Sequence, residues 1–224
     1  MSMLSNLDLI RRVPLFALLT PVQAESLSGA VAKQRFKRGE VVVEQGQTSD
    51  ALYIILAGRA RVLMTDKKGR EVILATLQAG DYIGEMSLID NEAHSATVTV
   101  ETQTDMLVLG GGDFARCLAE NASMAQAVMR GLVKRLRSAD QKISSLALAG
   151  VYERVANVLL EATVVGDDDE RCLREKISRQ DIAKMVGASR EMVSRVMKDF
   201  EEQGFIETCD DGVVRVYERR MAPR

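Results

Sequence analysis

The sequence predicts an α+β chain in three successive parts: an antiparallel double-stranded β-helix of the jelly-roll kind, one long helix, and a winged helix-turn-helix. Three observations predict it. Short β-branched runs punctuated by glycines fill residues 35–109, an apolar stripe in alternating steps of four and three residues follows Phe114, and two amphipathic segments flank Gly187 between Ser178 and Lys198. The 224 residues leave room for two cored domains rather than one. The expected divisions are 1–119 for the β-domain with short helices before it, 120–150 for the long helix and a hinge, and 151–224 for the helix-turn-helix domain.

Leu4, Leu7, Leu15, Leu18 and Leu19, interrupted by Pro14 and Pro21, predict short helices broken by proline over the first thirty or so residues. From Arg35 to Leu109 the runs Val41–Val43, Leu52–Leu56, Ala60–Met64, Val72–Leu77, Thr97–Val100 and Met106–Leu109 alternate with Gly39, Gly46, Gly58, Gly69 and Gly80. Many short strands without intervening helices favour a jelly-roll or β-roll. Asp66-Lys67-Lys68-Gly69 between two runs reads as a hairpin turn.

Past Phe114, the positions Ala125, Met129, Leu132, Leu136, Ala139, Ile143, Leu146 and Gly150 repeat as the seam of a two-helix coiled coil. A helix packed on its own β-domain usually gives a broader stripe of period 3.6. The seam therefore predicts a homodimer paired along 125–150. A second helix is expected over Val151–Thr163, then a solvated acidic loop from Val164 to Glu170. Phe205–Tyr217 predicts a hairpin turning at Asp211-Gly212, the wing.

Between these, Ile182, Ala183 and Val186 are the buried face of a first helix, Gly187 supplies a left-handed turn, and Ser189 caps a second helix burying Val193, Val196 and Met197. Arg190, Glu191, Ser194, Arg195 and Lys198 fall on its outer face. Arginine forks onto guanine O6 and N7, and glutamate accepts from cytosine N4. A solvated mixed-charge face is the plain alternative, but charge weighs against it. Lys176, Arg179, Lys184, Arg190, Arg195 and Lys198 stand against only Asp181 and Glu191 here, while the whole chain carries 30 basic and 32 acidic residues. A local cationic excess in a net-acidic chain suits a phosphate-facing patch. Double-stranded DNA is the expected partner.

Cys117, Cys172 and Cys209 are odd in number and in no metal-ligand spacing, so they read as reduced thiols. No apolar run approaches a membrane span, and the cytoplasm is the expected compartment, with no membrane partner. The single histidine, His94, argues against multi-histidine metal sites, haem ligation and Ser-His-Asp chemistry together. An enzyme is not expected.

In that order of parts, the chain resembles the cyclic AMP receptor protein and fumarate-nitrate regulator superfamily of bacterial transcription factors. The residues that carry the resemblance are Ile177–Ala183 with Gly187–Glu191, then Tyr82-Ile83-Gly84-Glu85-Met86-Ser87-Leu88, and Leu52–Gly58. The resemblance implies a cyclic-nucleotide-binding-like β-domain and a TGTGA-like palindromic site. It assigns Arg190 and Arg195 to guanines, Glu191 to a cytosine, and Ser178, Arg179, Gln180 and Ser189 to phosphates. It also implies contact with RNA polymerase, near which the acidic loop would sit.

For the effector pocket the resemblance points to Gly84, Glu85, Met86 and Ser87, then His94 and Ser95, with Ala139 and Asp140 on the long helix. Two departures stand out. His94 occupies the place of the family's phosphate-binding arginine, and Ala139-Asp140 that of a base-contacting Thr-Ser pair. Arginine is permanently charged and bidentate, whereas histidine is mostly neutral at pH 7. Three readings of the pocket follow: another effector such as cyclic di-GMP, weak cyclic AMP binding through backbone amides, Ser95 and a protonated His94, or an empty vestigial pocket. The rival from another class is a nucleotide-binding sensory module whose C-terminal helices serve assembly only.

Overall fold

The computed structural model describes residues 5–165, 171–173, 176–208 and 214–217. The chain divides into two compact units, Met1–Leu136 and Arg137–Arg224. The first begins with α1 (Asn6–Ile10), a 3-10 turn at Pro14–Phe16 and α2 (Pro21–Ser28), where both prolines start a helical turn instead of interrupting one. Ser5 with Asp8, and Thr20 with Gln23, close reciprocal capping boxes on α1 and α2.

Eight strands follow: β1 (Val31–Phe36), β2 (Val41–Val43), β3 (Ala51–Ala57), β4 (Ala60–Thr65), β5 (Glu71–Leu77), β6 (Tyr82–Ile83), β7 (Thr97–Val100) and β8 (Thr104–Gly110). They form two four-stranded antiparallel sheets, ordered β1-β8-β3-β6 and β2-β7-β4-β5. This is the jelly-roll the sequence predicts, although the strands begin at Val31 rather than Arg35. The Asp66–Gly69 turn forms as expected: the Gly69 N–H donates to the Asp66 carbonyl, and the Asp66 carboxylate accepts from the Lys68 and Arg70 amides.

Alternation along β3 explains how one strand serves two cores. Leu52 and Ile54 pack with Leu107, Leu109 and the N-terminal helices, while Ile55 packs with Phe36, Val98, Val100 and Met106 between the sheets. A sheet covered on both faces needs a nearly continuous apolar run, and Leu52–Leu56 supplies it.

After β8 come α4 (Gly111–Glu120) and α5 (Ala122–Leu148). α5 has two apolar faces. Met124 and Val128 are buried in the core of the first unit with Leu132 packed beside them, whereas Met129, Val133, Leu136 and Ile143 stand exposed. Two positions of the predicted seam therefore need correction. Leu132 belongs in part to the chain's own core, and Gly150 lies past the helix end, where its extended backbone caps the next helix.

The second unit packs α6 (Val151–Glu161), α7 (Arg179–Val186) and α8 (Arg190–Glu202) around Val155, Leu159, Ile182, Val193, Val196 and Phe200. A four-stranded sheet closes it, ordered β11 (Ile206–Thr208), β12 (Val214–Val216), β10 (Arg171–Leu173) and β9 (Thr163–Val165). α6 stops at Glu161, and Thr163–Val165 pairs with β10 instead of opening a loop, because Thr163 meets Leu173 in antiparallel register. β11 and β12 are the wing strands; the Asp211-Gly212 turn and the acidic stretch 166–170 lie outside the described residues. No helix among the described residues is long and apolar enough to cross a membrane.

Candidate functional site

In the first unit a cavity of about 230 Å³ opens beside α3 (Glu85–Asp90). Its apolar wall is Val43, Val62, Leu77 and Val98, and its polar side runs along 82–95. Gly84 starts α3 with φ +97°, where a Cβ would lie 2.6 Å from the Ala51 carbonyl, so only glycine fits this bend. The bend turns Glu85 inward to 1% exposure.

A buried carboxylate needs a partner, and α5 provides it. The Arg135 guanidinium donates to Glu85 Oε1 at 2.5 Å and also to the Tyr82 carbonyl, and it stacks 4.9 Å from the centre of the Tyr82 ring. Tyr82 in turn donates from its hydroxyl to the Val128 carbonyl at 3.3 Å. Any Cβ at residue 131 would overlap that hydroxyl, so Gly131 is what lets α5 approach. Burial pushes the Glu85 carboxyl above the ordinary range, with Arg135 pulling it back down.

His94 is 8% exposed and tightly held. Its amide donates to the Gln47 carbonyl, its carbonyl accepts from Gly46, and Nε2 lies 2.8 Å from Ser49 Oγ. Burial lowers its pKa below the ordinary histidine value, which keeps the ring neutral at pH 7. Of the residues the sequence points to, Gly84, Glu85, Met86, Ser87, His94 and Ser95 all line the cavity. Ala139 and Asp140 do not: both are exposed, a turn or more of α5 beyond Arg135. Arg135, Asp90 and Glu92, which also line the cavity, were missed, as was Ser49, which contacts His94. Arg135 and Glu85 are 50 residues apart, and no local pattern links them.

In the second unit, Ser178 caps α7 by accepting from the Asp181 amide at 3.0 Å, and Gly187 ends it with φ +64°. Ser189 caps α8 by accepting from the Met192 amide at 3.2 Å. The buried faces are those expected: Ile182, Ala183 and Val186 on α7, and Val193, Val196 and Met197 on α8. Ser178, Arg179, Gln180, Ser189, Arg190, Glu191, Arg195 and Lys198 are exposed, and Ser194 is half-buried.

Two contacts tune this surface. The Glu191 carboxyl is held below its ordinary range, first by its own backbone amide and then by the Ser189 hydroxyl, so it is an ionised acceptor at neutral pH. Lys198 lies 3.4 Å from Glu202, an exposed pair worth little energetically. The first turns of α8 thus present two guanidinium groups and a carboxylate to solvent, the donor and acceptor set that reads base edges.

Residues 33–121 match the model of the cyclic nucleotide-binding domain, and residues 153–220 that of the Crp-like helix-turn-helix domain. The chain is 30% identical to the cAMP-activated global transcriptional regulator Vfr of Pseudomonas aeruginosa, covering 78% of this chain and 84% of that one. It is 27% identical to the CRP-like cAMP-activated global transcriptional regulator of Mycobacterium tuberculosis, over 97% and 98% of the two chains. Among solved structures it is similar to the c-di-GMP responsive global regulator CLP of Xanthomonas campestris, at TM-score 0.76 and 25% identity, over 86% of this chain and 97% of that one. These domains and relatives are those of transcription regulators, not of enzymes. The chain therefore belongs to the cyclic AMP receptor protein and fumarate-nitrate regulator superfamily of transcription regulators.

Proposed function

We propose that this regulator works as a cytoplasmic homodimer on palindromic DNA, with a small effector in the β-roll cavity setting its activity. The observation that carries the DNA reading is the exposed Arg190, Glu191 and Arg195 set on a capped helix whose opposite face is core. Arg190 and Arg195 take guanines and Glu191 a cytosine of a TGTGA-like half-site. Ser178, Arg179, Gln180 and Ser189 hold phosphates, with Ser194 and Lys198 beside them. Two copies related by a two-fold reach half-sites about 34 Å apart. RNA polymerase is the further partner.

The exposed Met129, Val133, Leu136 and Ile143 on α5 support pairing, since a helix with a bare apolar stripe gains by covering it with the same stripe of a second copy. On this reading residues 1–119 receive the effector, 120–150 pair the protomers, and 151–224 bind DNA. Arg135 and Leu136 are consecutive on one rigid helix, the first reaching into the cavity and the second standing on the stripe. An effector that displaces Arg135 from Glu85 thereby shifts the pairing seam, and its differential affinity for the two arrangements sets the size of the response. Cyclic AMP and cyclic di-GMP are the effectors that relatives bring into question.

The test is electrophoretic mobility of a palindromic TGTGA duplex against a scrambled duplex across a salt series. Specific retention that weakens as salt rises is expected. Equal retention of both duplexes overturns the proposal.

A further inference from the structure

Asp199 stands one turn after Arg195 on α8, at the spacing that lets two side chains of a helix meet. It also falls in the last turn, where the backbone carbonyls leave a partial negative charge and a carboxylate is disfavoured without a donor. Two donors compete for it: the Arg195 guanidinium on its own helix and the Tyr152 hydroxyl on α6. The hydroxyl holds it, since Tyr152 donates to Asp199 Oδ2.

The Tyr152 ring is fixed from below. It meets Phe200 edge to face at 5.9 Å between ring centres, Phe200 meets Phe205 in the same way at 5.8 Å, and Phe200 is buried in the core of this unit. The hydrogen bond to Asp199 raises the Tyr152 pKa above the ordinary phenol value and the Arg195 charge draws it partly back, so the hydroxyl stays a donor at neutral pH and the three groups share one electrostatic neighbourhood.

We propose that Tyr152 is a specificity-determining positioning residue for the α8 surface: by occupying the Asp199 carboxylate it keeps Arg195 free to reach a base. The proposal rests on the reading of Arg195 as a guanine contact, and it names the residue that keeps that contact available. Without the hydroxyl, the carboxylate takes the guanidinium along the helix, and a guanine must then displace an ion pair before Arg195 forks onto it.

Competition binding of the full-length chain at fixed salt tests it, with the palindromic TGTGA duplex set against duplexes in which one guanine of each half-site is replaced. Arg195→Ala first identifies the guanine concerned, as the position where discrimination is lost. Tyr152→Phe keeps the ring on Phe200 and removes only the hydroxyl. Discrimination at that same guanine should fall about threefold per half-site, or about tenfold on the whole palindrome, the scale of an exposed ion pair formed in place of the hydroxyl contact. Adding Asp199→Asn removes the competing charge and should restore discrimination to within about twofold of the parent. The ratio between duplexes is the readout because deleting a carboxylate strengthens binding to all DNA alike. In the Arg195→Ala background, Tyr152→Phe should change nothing further at that base.

The proposal is overturned if Tyr152→Phe discriminates as the parent does, if it loses discrimination equally at every base, or if Asp199→Asn fails to restore it, which is the behaviour of a hydroxyl that only holds the fold. A parent chain without preference for the palindrome, or an Arg195→Ala variant that loses none, sinks the base assignment and this role together. A parent that reads the Arg195 guanine no better than Tyr152→Phe does sinks only the role of Tyr152.

Discussion

Replacing Leu136 by Asp is the sharpest test of pairing along α5. Leu136 is 62% exposed, so most of its apolar area lacks cover within the chain. Full burial of a leucine side chain contributes about 1.5–3 kcal/mol, and covering the exposed share therefore contributes about 1–2 kcal/mol per protomer, or about 2–4 kcal/mol in a two-fold pair. The aspartate removes that contribution and sets two carboxylates against one another across the seam. At about 1.4 kcal/mol per decade, the dimer dissociation constant should rise about 30-fold to 700-fold. Sedimentation equilibrium over a dilution series reads this directly. Leu18, exposed to 68% outside α5, supplies the control, because Leu18→Asp changes the same chemistry away from the seam. An unchanged dimer constant for Leu136→Asp, or equal weakening by both variants, refutes the reasoning.

Three other outcomes are expected. Glu191→Ala should cost about 1–3 kcal/mol of discrimination at one base of each half-site and leave the other positions alone; binding-site selection with unaltered base preference contradicts the assignment. Arg135→Ala strands a buried carboxylate, and since Arg135 is partly solvated the loss should fall near the lower end for such pairs, about 3 kcal/mol in urea unfolding. A loss below about 1 kcal/mol shows that Glu85 finds another partner or takes up a proton. Burial lowers the His94 pKa, so as pH falls below about 6.5 the unfolded chain takes up a proton that the folded chain resists, and stability declines. The raised Glu85 pKa acts with the opposite sign, so the readout is the difference between parent and His94→Gln from pH 8 to pH 5.5. Parallel curves for the two proteins rule the histidine out.

The helix-turn-helix was legible because its signals are local. The serine caps, Gly187 and the apolar spacing all fall between Ser178 and Met197, and each residue's role follows from its neighbours. Strands β2, β3, β4, β5, β7 and β8 were legible for a similar reason, since burial on one or both faces wrote apolar and β-branched runs into the sequence. β1 was missed because its interior residues Ala32–Arg35 are exposed and only Val31 and Phe36 are buried, the signature of an edge strand with little apolar pattern. β6, two residues long, offers no period at all.

The cavity shows where local reading ends. The Gly84-Glu85 bend follows from one glycine and its neighbours, yet what Glu85 meets depends on α5 arriving from 50 residues away. That arrival requires three things at once: Gly131 to clear the Tyr82 hydroxyl, Val128 to present a carbonyl to it, and Arg135 to follow Gly131 by one turn. Each residue is ordinary in a helix taken alone. The same helix shows why the apolar repeat along the sequence includes Leu132. A stripe counted along the sequence cannot separate the apolar positions that face the chain's own β-roll from those left bare, because adjacent faces of one helix share residues such as Leu132. Only once the β-roll claims Met124 and Val128 does the remaining stripe, Met129, Val133, Leu136 and Ile143, stand out as exposed apolar surface.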